Sequence, residues 1–230
     1  MFELSALERE AIELSLRVAF WSVLISLPVA LATAWLLARV EFPGKTLVNG
    51  LVHLPLVLPP VVVGYLLLLL LGRYGIVGRW RYEWFGIQLP FTWQGAALAA
   101  AVMAFPLVVR AMRLSLENVD RRLELAARTL GASPMDVFAS VTLPLMAPGI
   151  LVGAVLGFAR SLGEFGATIV FASTIPGETR TLPLALYSLT QTADGEGPAL
   201  RLAVISVVIS LGALAASELM ARRLHMQASA

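Results

Sequence analysis

Cysteine is absent from the 230 residues, which excludes disulfide frameworks, thiolate metal sites and cysteine nucleophiles. Charge is scarce as well: Asp, Glu, Lys and Arg make up 14% of the chain, where soluble domains carry about 25%. The formal net charge is only +2, with basic residues scattered among acidic ones, and this argues against a nucleic-acid partner. The single lysine, Lys45 in Pro43-Gly44-Lys45-Thr46, lacks the upstream glycine and preceding strand of a phosphate-cradling G-x-x-x-x-G-K-[ST] loop. It reads as a short turn, and the chain is not expected to be an enzyme. His53 has no second histidine or carboxylate beside it, so it reads as structural, and no metal site is expected. Met1 to Glu13 holds four glutamates and no basic leader. That does not resemble a cleaved signal peptide, and the first apolar segment is expected to be retained.

What is abundant is apolar side chain, 58% of the residues. A membrane span needs roughly 20 mainly apolar residues at about 1.5 Å each. Uncharged runs at 18–38, 46–72 and 84–109 supply three, and two more follow if a few charges are tolerated inside them. The expectation is an all-α, polytopic membrane protein, one domain over 1–230, with about five spans. These lie near 12–38, 48–72, 92–113, 148–172 and 200–221, with a cytoplasmic loop at 114–146. With that loop inside, nine of the 17 basic residues also lie inside, only a slight lean under the positive-inside rule. An odd number of spans then places the N-terminus outside and the C-terminus inside.

In the second span Pro55, Pro59 and Pro60 remove backbone donors and are expected to bend or interrupt the helix, so that end should face protein or water. The following segment, Arg73 to Trp93, is expected as an outer loop. Its Trp80, Tyr82, Trp84, Phe85 and Trp93 fit either an interfacial aromatic belt or an extracellular platform.

The loop at 114–146 is a polar island. Val119, Leu123, Ala126, Ala127 and Leu130 recur at helical spacing, with Arg121, Arg122, Glu124 and Arg128 largely on other faces, giving an amphipathic helix too charged to span lipid. Gly131 stands where a helix end favours positive φ, and Ser133-Pro134-Met135-Asp136 reads as N-cap, N1 proline and N3 acid of a second helix. Helix, sharp turn, helix is the expected form, either resting on the membrane surface or docking a soluble partner.

Span four carries intramembrane charge. Arg160 and Glu164 are one helical turn apart and can pair on a face shared with Thr168. Counted from Pro148, Arg160 lies about 18 Å along the helix, near midbilayer, where a charge costs at least about 2.5 kcal/mol and should face protein or water. A structural pair and a lining of a path are both compatible with this. Arg160, Ser161, Glu164 and Thr168 are the path candidates. Gly149, Gly153 and Gly157 form a small-residue stripe suited to close helix packing, including a contact with a second copy.

The island resembles the coupling loop of binding-protein-dependent ABC importer permeases, with Ala126, Ala127, Gly131, Val141, Leu143 and Pro144 filling an E-A-A, glycine, hydrophobic-x-Leu-Pro pattern. The first position of the triplet is Leu125, its carboxylate standing one residue earlier at Glu124. Ser161-Leu-Gly-Glu-Phe-Gly-Ala-Thr168 and Ile175-Pro-Gly-Glu-Thr-Arg-Thr-Leu-Pro-Leu-Ala-Leu-Tyr187 resemble the oxyanion branch of that family, which serves molybdate, tungstate and sulfate. Leu54 to Tyr65 and Gln191 to Glu196 add to the likeness, which is strongest to the molybdate permeases. The resemblance implies a multi-pass protein of a bacterial or archaeal cytoplasmic membrane that carries molybdate or tungstate inward. It implies Glu124, Ala126, Ala127, Gly131, Ser133, Val141, Leu143 and Pro144 as coupling residues. As partners it implies two copies of a separate ATPase holding ATP and Mg, an extracytoplasmic oxyanion-binding protein, a second copy of this chain and membrane lipid, with no cofactor on this chain. A sulfate or thiosulfate permease is the alternative within the branch, and a secondary anion transporter or a passive anion channel the alternative outside it.

Overall fold

The computed structural model describes residues 5–192 and 195–228, with side chains characterised up to residue 213 and at Ala215. Ala193 and Asp194 of the 191–196 string, and the side chains of Arg222 and Arg223, lie outside this described part. Among the described residues every regular element is a helix. Four helices are long and apolar enough to cross a membrane, and a bent helix pair makes a fifth candidate.

Helix α1, Ala6–Arg39, opens on a capping box between Ser5 and Glu8. Its buried face repeats at three- and four-residue steps through Ala11, Leu14, Ser15, Val18, Ser22, Ser26, Ala30, Ala34 and Leu37. The stripe consists largely of small side chains, so the axis can approach its neighbours closely. After a turn at Gly44, α2 (Lys45–Val57) and α3 (Pro60–Leu71) follow, their axes bent by 116°. The segment expected as one span near 48–72 is therefore two helices. Pro59 and Pro60 lack N–H groups, and a residue preceding proline is driven out of the helical region; Leu58 and Pro59 accordingly hold ψ of 143° and 133°. The segment expected as an outer loop holds a short helix, α4 (Ile76–Phe85), with Trp80 and Trp84 exposed.

The centre of the bundle is α5, Trp93–Glu117, whose Ala96, Ala97, Ala99, Ala100, Ala101 and Ala104 are all buried. The polar loop expected at 114–146 comprises α6 (Arg121–Thr129), α7 (Pro134–Val137) and one π-helical turn, Phe138–Thr142. It leads without interruption into α8, Leu143–Leu162. After the three residues 163–165, α9 (Gly166–Phe171) begins, then α10 (Leu182–Thr190) and α11 (Glu196–Ala228).

The stretch 148–172, expected as one span, is thus broken at Gly163–Phe165. The Glu164 carboxylate supplies the reason: its Oε1 accepts the Ala167 N–H at 2.8 Å and so begins a new helix. The glycine stripe is also assigned differently from a contact with a second copy. A Cβ at Gly149 would stand 2.1 Å from Ser115 Cβ, and one at Gly157 would stand 2.8 Å from Val108 Cγ2. The stripe is filled by α5 of the same chain.

Because the α5–α8 contact leaves no room for a methyl group at Gly149, Gly149→Val is expected to cost about 1–3 kcal/mol of stability by overpacking. Gly212→Ala, which meets nothing within 4 Å, is expected to be neutral or slightly stabilising. Thermal unfolding of the detergent-solubilised variants checks both.

Candidate functional site

The loop between α5 and α8 folds from local signals. Asp120 accepts the Arg122 N–H and starts α6. Gly131, at φ +91°, ends it in the left-handed region, which costs glycine nothing and other residues strain. The Ser133 hydroxyl accepts the Asp136 N–H, while Asp136 accepts from both the amide and the hydroxyl of Ser133. A capping box with proline at N1 thus starts α7. At Phe138–Thr142 the ladder widens by one residue, with the Leu143 N–H reaching the Phe138 carbonyl. Such turns recur where a helix must be re-aimed.

Helix α6 shows two working faces. On one, Leu123 is 50% exposed, Ala126 is exposed, Ala127 is half-buried and Leu130 is 89% exposed. On the other lie Arg121, Glu124, Leu125 and Arg128, turned toward α1 and α7. An isolated amphipathic helix would place its leucines inward; here the carboxylate points into the body, and Leu123 and Leu130 point away from it. Of the remaining coupling candidates, Gly131, Ser133 and Pro144 are exposed, and Val141 and Leu143 are half-buried.

Glu124 is the joint of this region. Its Oε1 accepts from Arg39 Nη2 at 3.0 Å and from Thr142 Oγ1 at 2.8 Å. One carboxylate oxygen therefore ties α6 to the last residue of α1 and to the π-helical turn leading into α8. Reading the sequence did not find Arg39 or Thr142 as its partners. They stand 85 and 18 positions away, and no linear pattern joins them.

The path candidates are placed unequally. Arg160 Nη1 and Glu164 Oε2 pair at 2.6 Å, with the arginine side chain 28% exposed and the glutamate 1%. Arg160 stands in the last turn of α8, about 26 Å beyond Leu143 at 1.5 Å per residue. Ser161 is buried and its hydroxyl accepts from the Ser22 hydroxyl of α1 at 2.7 Å. Thr168, also buried, donates to the carbonyls of Glu164 and Phe165. The four residues cluster at the α8–α9 break, but only Arg160 retains exposed surface there. This break meets the other one: a Cβ on Gly166 would lie 2.6 Å from Pro60 Cβ, and one on Gly64 would lie 2.5 Å from the Ala167 carbonyl oxygen. His53 Nδ1 lies 2.8 Å from the Asn49 carbonyl, a bond within its own helix. Among the described residues no three His, Asp or Glu side chains gather in a way that could hold a metal ion.

Comparison with known proteins bears on this arrangement. The family model described as "Binding-protein-dependent transport system inner membrane component" matches residues 26–226. The molybdenum transport system permease protein ModB of Haemophilus influenzae is 58% identical over 219 residues, 95% of this chain and 96% of that protein. ModB of Escherichia coli K12 is 60% identical over 215 residues, 94% of each chain. Among solved structures, a bacterial ABC transporter involved in alginate import aligns with TM-score 0.75 and 20% identity, over 96% of this chain and 80% of that one. That likeness speaks for the fold. The chain is a multi-pass permease that belongs to the family of inner-membrane components of binding-protein-dependent ABC transport systems.

Proposed function

We propose that the chain is the membrane permease of an ATP-driven importer for oxyanions, molybdate first and tungstate with it, in a bacterial or archaeal cytoplasmic membrane. Two copies enclose the path, and one copy of a separate ATPase, holding ATP and Mg, docks under each α6. An extracytoplasmic binding protein delivers the anion, and this chain itself binds no cofactor. The observation that carries the coupling reading is the outward apolar face of α6 joined through Glu124 to α1 and α8. Identity of 58–60% to proteins named as molybdenum permeases supports the substrate.

The mechanism follows from what each group can do. Leu123 and Leu130 stand in water at a cost of about 25 cal/mol per Å² of apolar surface, which docking on a soluble partner removes. Movement of the docked ATPase then displaces α6 as a short rigid body. Glu124 passes that displacement to the end of α1 through Arg39 and to the start of α8 through Thr142. At the far end of α8, the break before α9 lies against the break between α2 and α3, and a shift there opens or closes the route past Arg160. The nucleotide and the loaded binding protein bias two states of the bundle, each by its differential affinity for them.

Three outcomes test this reading. Leu123→Asp combined with Leu130→Asp is expected to abolish copurification of the ATPase while leaving the thermal unfolding of the permease unchanged, since both side chains are already exposed. Glu124→Ala is expected to keep the ATPase bound and lower anion uptake at least tenfold per ATP hydrolysed, measured in proteoliposomes; unchanged uptake would remove the joint from the mechanism. For the substrate, the reconstituted complex with its binding protein is presented with molybdate, tungstate and sulfate in turn. Stimulation of ATP hydrolysis by the first two alone is expected. Stimulation by sulfate would move the chain to the sulfate permeases, and no stable complex with an ATPase would remove the importer.

A further inference from the structure

A cavity of about 820 Å³ lies between α1 and the coupling region, on the face of α6 opposite its exposed leucines. Its wall on α1 is one helical stripe, Pro28, Leu31, Ala32 and Trp35, ending at Arg39. At 1.5 Å per residue this wall runs about 16 Å into a helix that crosses the membrane. The opposite wall is formed by the apolar side chains of α6, α7 and the π-helical turn, and the lining also carries Arg39 at the end of the α1 stripe and Arg121 and Arg128 on α6. Against these three cations stands one carboxylate, Glu124, already bonded to Arg39. Among the described residues neither Arg121 nor Arg128 forms an ion pair. Arg39 is nine-tenths buried, and its Nε–H has no acceptor.

From this shape and charge we propose that the cavity is a site for an anionic phospholipid. One acyl chain lies along Pro28 to Trp35, and the headgroup phosphate rests against Arg121 and Arg128. Three considerations select this occupant. A water-soluble partner cannot reach a wall that runs so far along a membrane-spanning helix, whereas an acyl chain is already there. The cationic end matches a phosphate, and an arginine guanidinium binds phosphate through paired N–H donors. The order along α1, aliphatic wall, then Trp35, then Arg39, is that of hydrocarbon, interface and headgroup in a membrane. The site is separate from the ATPase face of α6, yet its lining includes Glu124, Arg39 and Thr142, so a bound lipid braces the joint that links α6 to the bundle. Because its basis is the cavity and not the transported anion, the proposal stands whether or not the chain carries molybdate.

Native mass spectrometry of the full-length permease tests the proposal, with phosphatidylglycerol and phosphatidylcholine of identical chains compared as added lipids. Preferential retention of phosphatidylglycerol is expected. Each of Arg121→Ala and Arg128→Ala is expected to weaken it about fivefold, the effect of about 1 kcal/mol per basic residue near an anionic headgroup. Ala32→Trp, which narrows the acyl wall and leaves the charges in place, is expected to weaken it as well. Arg79→Ala, far along the chain on α4 and paired with Glu83, is expected to leave it unchanged. Equal retention of the two lipids, equal loss with Arg79→Ala, or full retention in Ala32→Trp would overturn the site. Recovery of a dimer without lipid whose masses change on Ala32→Trp would overturn it too, by assigning the cavity to a second copy.

Discussion

Hydrocarbon offers no partner to an unpaired peptide group, so a chain of this kind can leave the helix only where protein supplies the missing bonds. Among the described residues, three irregularities interrupt the stretches expected as spans or lead into them, at Leu58–Pro60, at the π-helical turn Phe138–Thr142 and at Gly163–Phe165. The first and third are packed against each other, glycine to proline and glycine to backbone, and the third has its freed amide taken by Glu164. The second is held at the loop end by Thr142 on Glu124. Between them α5 packs six buried alanines closely against its neighbours. Any change of shape must therefore be concentrated at the breaks, because close-packed helix faces are bistable rather than continuously deformable.

The Glu124–Arg39 pair matters for position more than for stability. With the Glu124 and Arg39 side chains 20% and 10% exposed, it is neither fully solvated, where an ion pair contributes about 0–1 kcal/mol, nor fully dry, where desolvation can exceed the attraction. What it adds is direction. Thr142 and Arg39 approach the same oxygen from two different helices, so the carboxylate fixes the angle of α6 against both. Removing it would leave Arg39 buried with its Nη2 lacking this acceptor, a cost borne at the boundary where loop and membrane meet.

The features legible in the sequence were those set by neighbours in the chain. The Ser133-Pro134-Met135-Asp136 restart, the glycine with positive φ at 131 and the proline interruption near 59 are each decided within a few residues, and each is present. The Arg160–Glu164 pair is of the same kind, an i,i+4 contact. The residues that escaped were those whose partner comes from elsewhere. Periodicity separates the faces of α6 but does not say which face turns inward, because that depends on Arg39. Nor does a glycine stripe identify the helix that fills it, and the filler proved to be α5. Nor could the sequence show that Ser161, a path candidate, is held by Ser22, 139 positions away. The break at Gly163 was missed because Glu164 was counted as a partner for Arg160 alone, although its second oxygen also caps α9.

The same accounting bears on how a permease can pass a dianion without holding it. Within one copy, the Thr168 hydroxyl already donates to backbone carbonyls, Ser161 is buried against the Ser22 hydroxyl, and Arg160 is already neutralised by Glu164 at 2.6 Å. What remains at the break is one partly exposed guanidinium whose charge is balanced, an attraction weak enough to be reversed by a small displacement. A path lined instead by several uncompensated cations would bind the anion in both states of the bundle, and equal affinity for two states shifts no equilibrium and releases nothing. On the function proposed above, discrimination among oxyanions by paired donors has to be made before the anion reaches this chain, and the helix breaks need only decide when it passes.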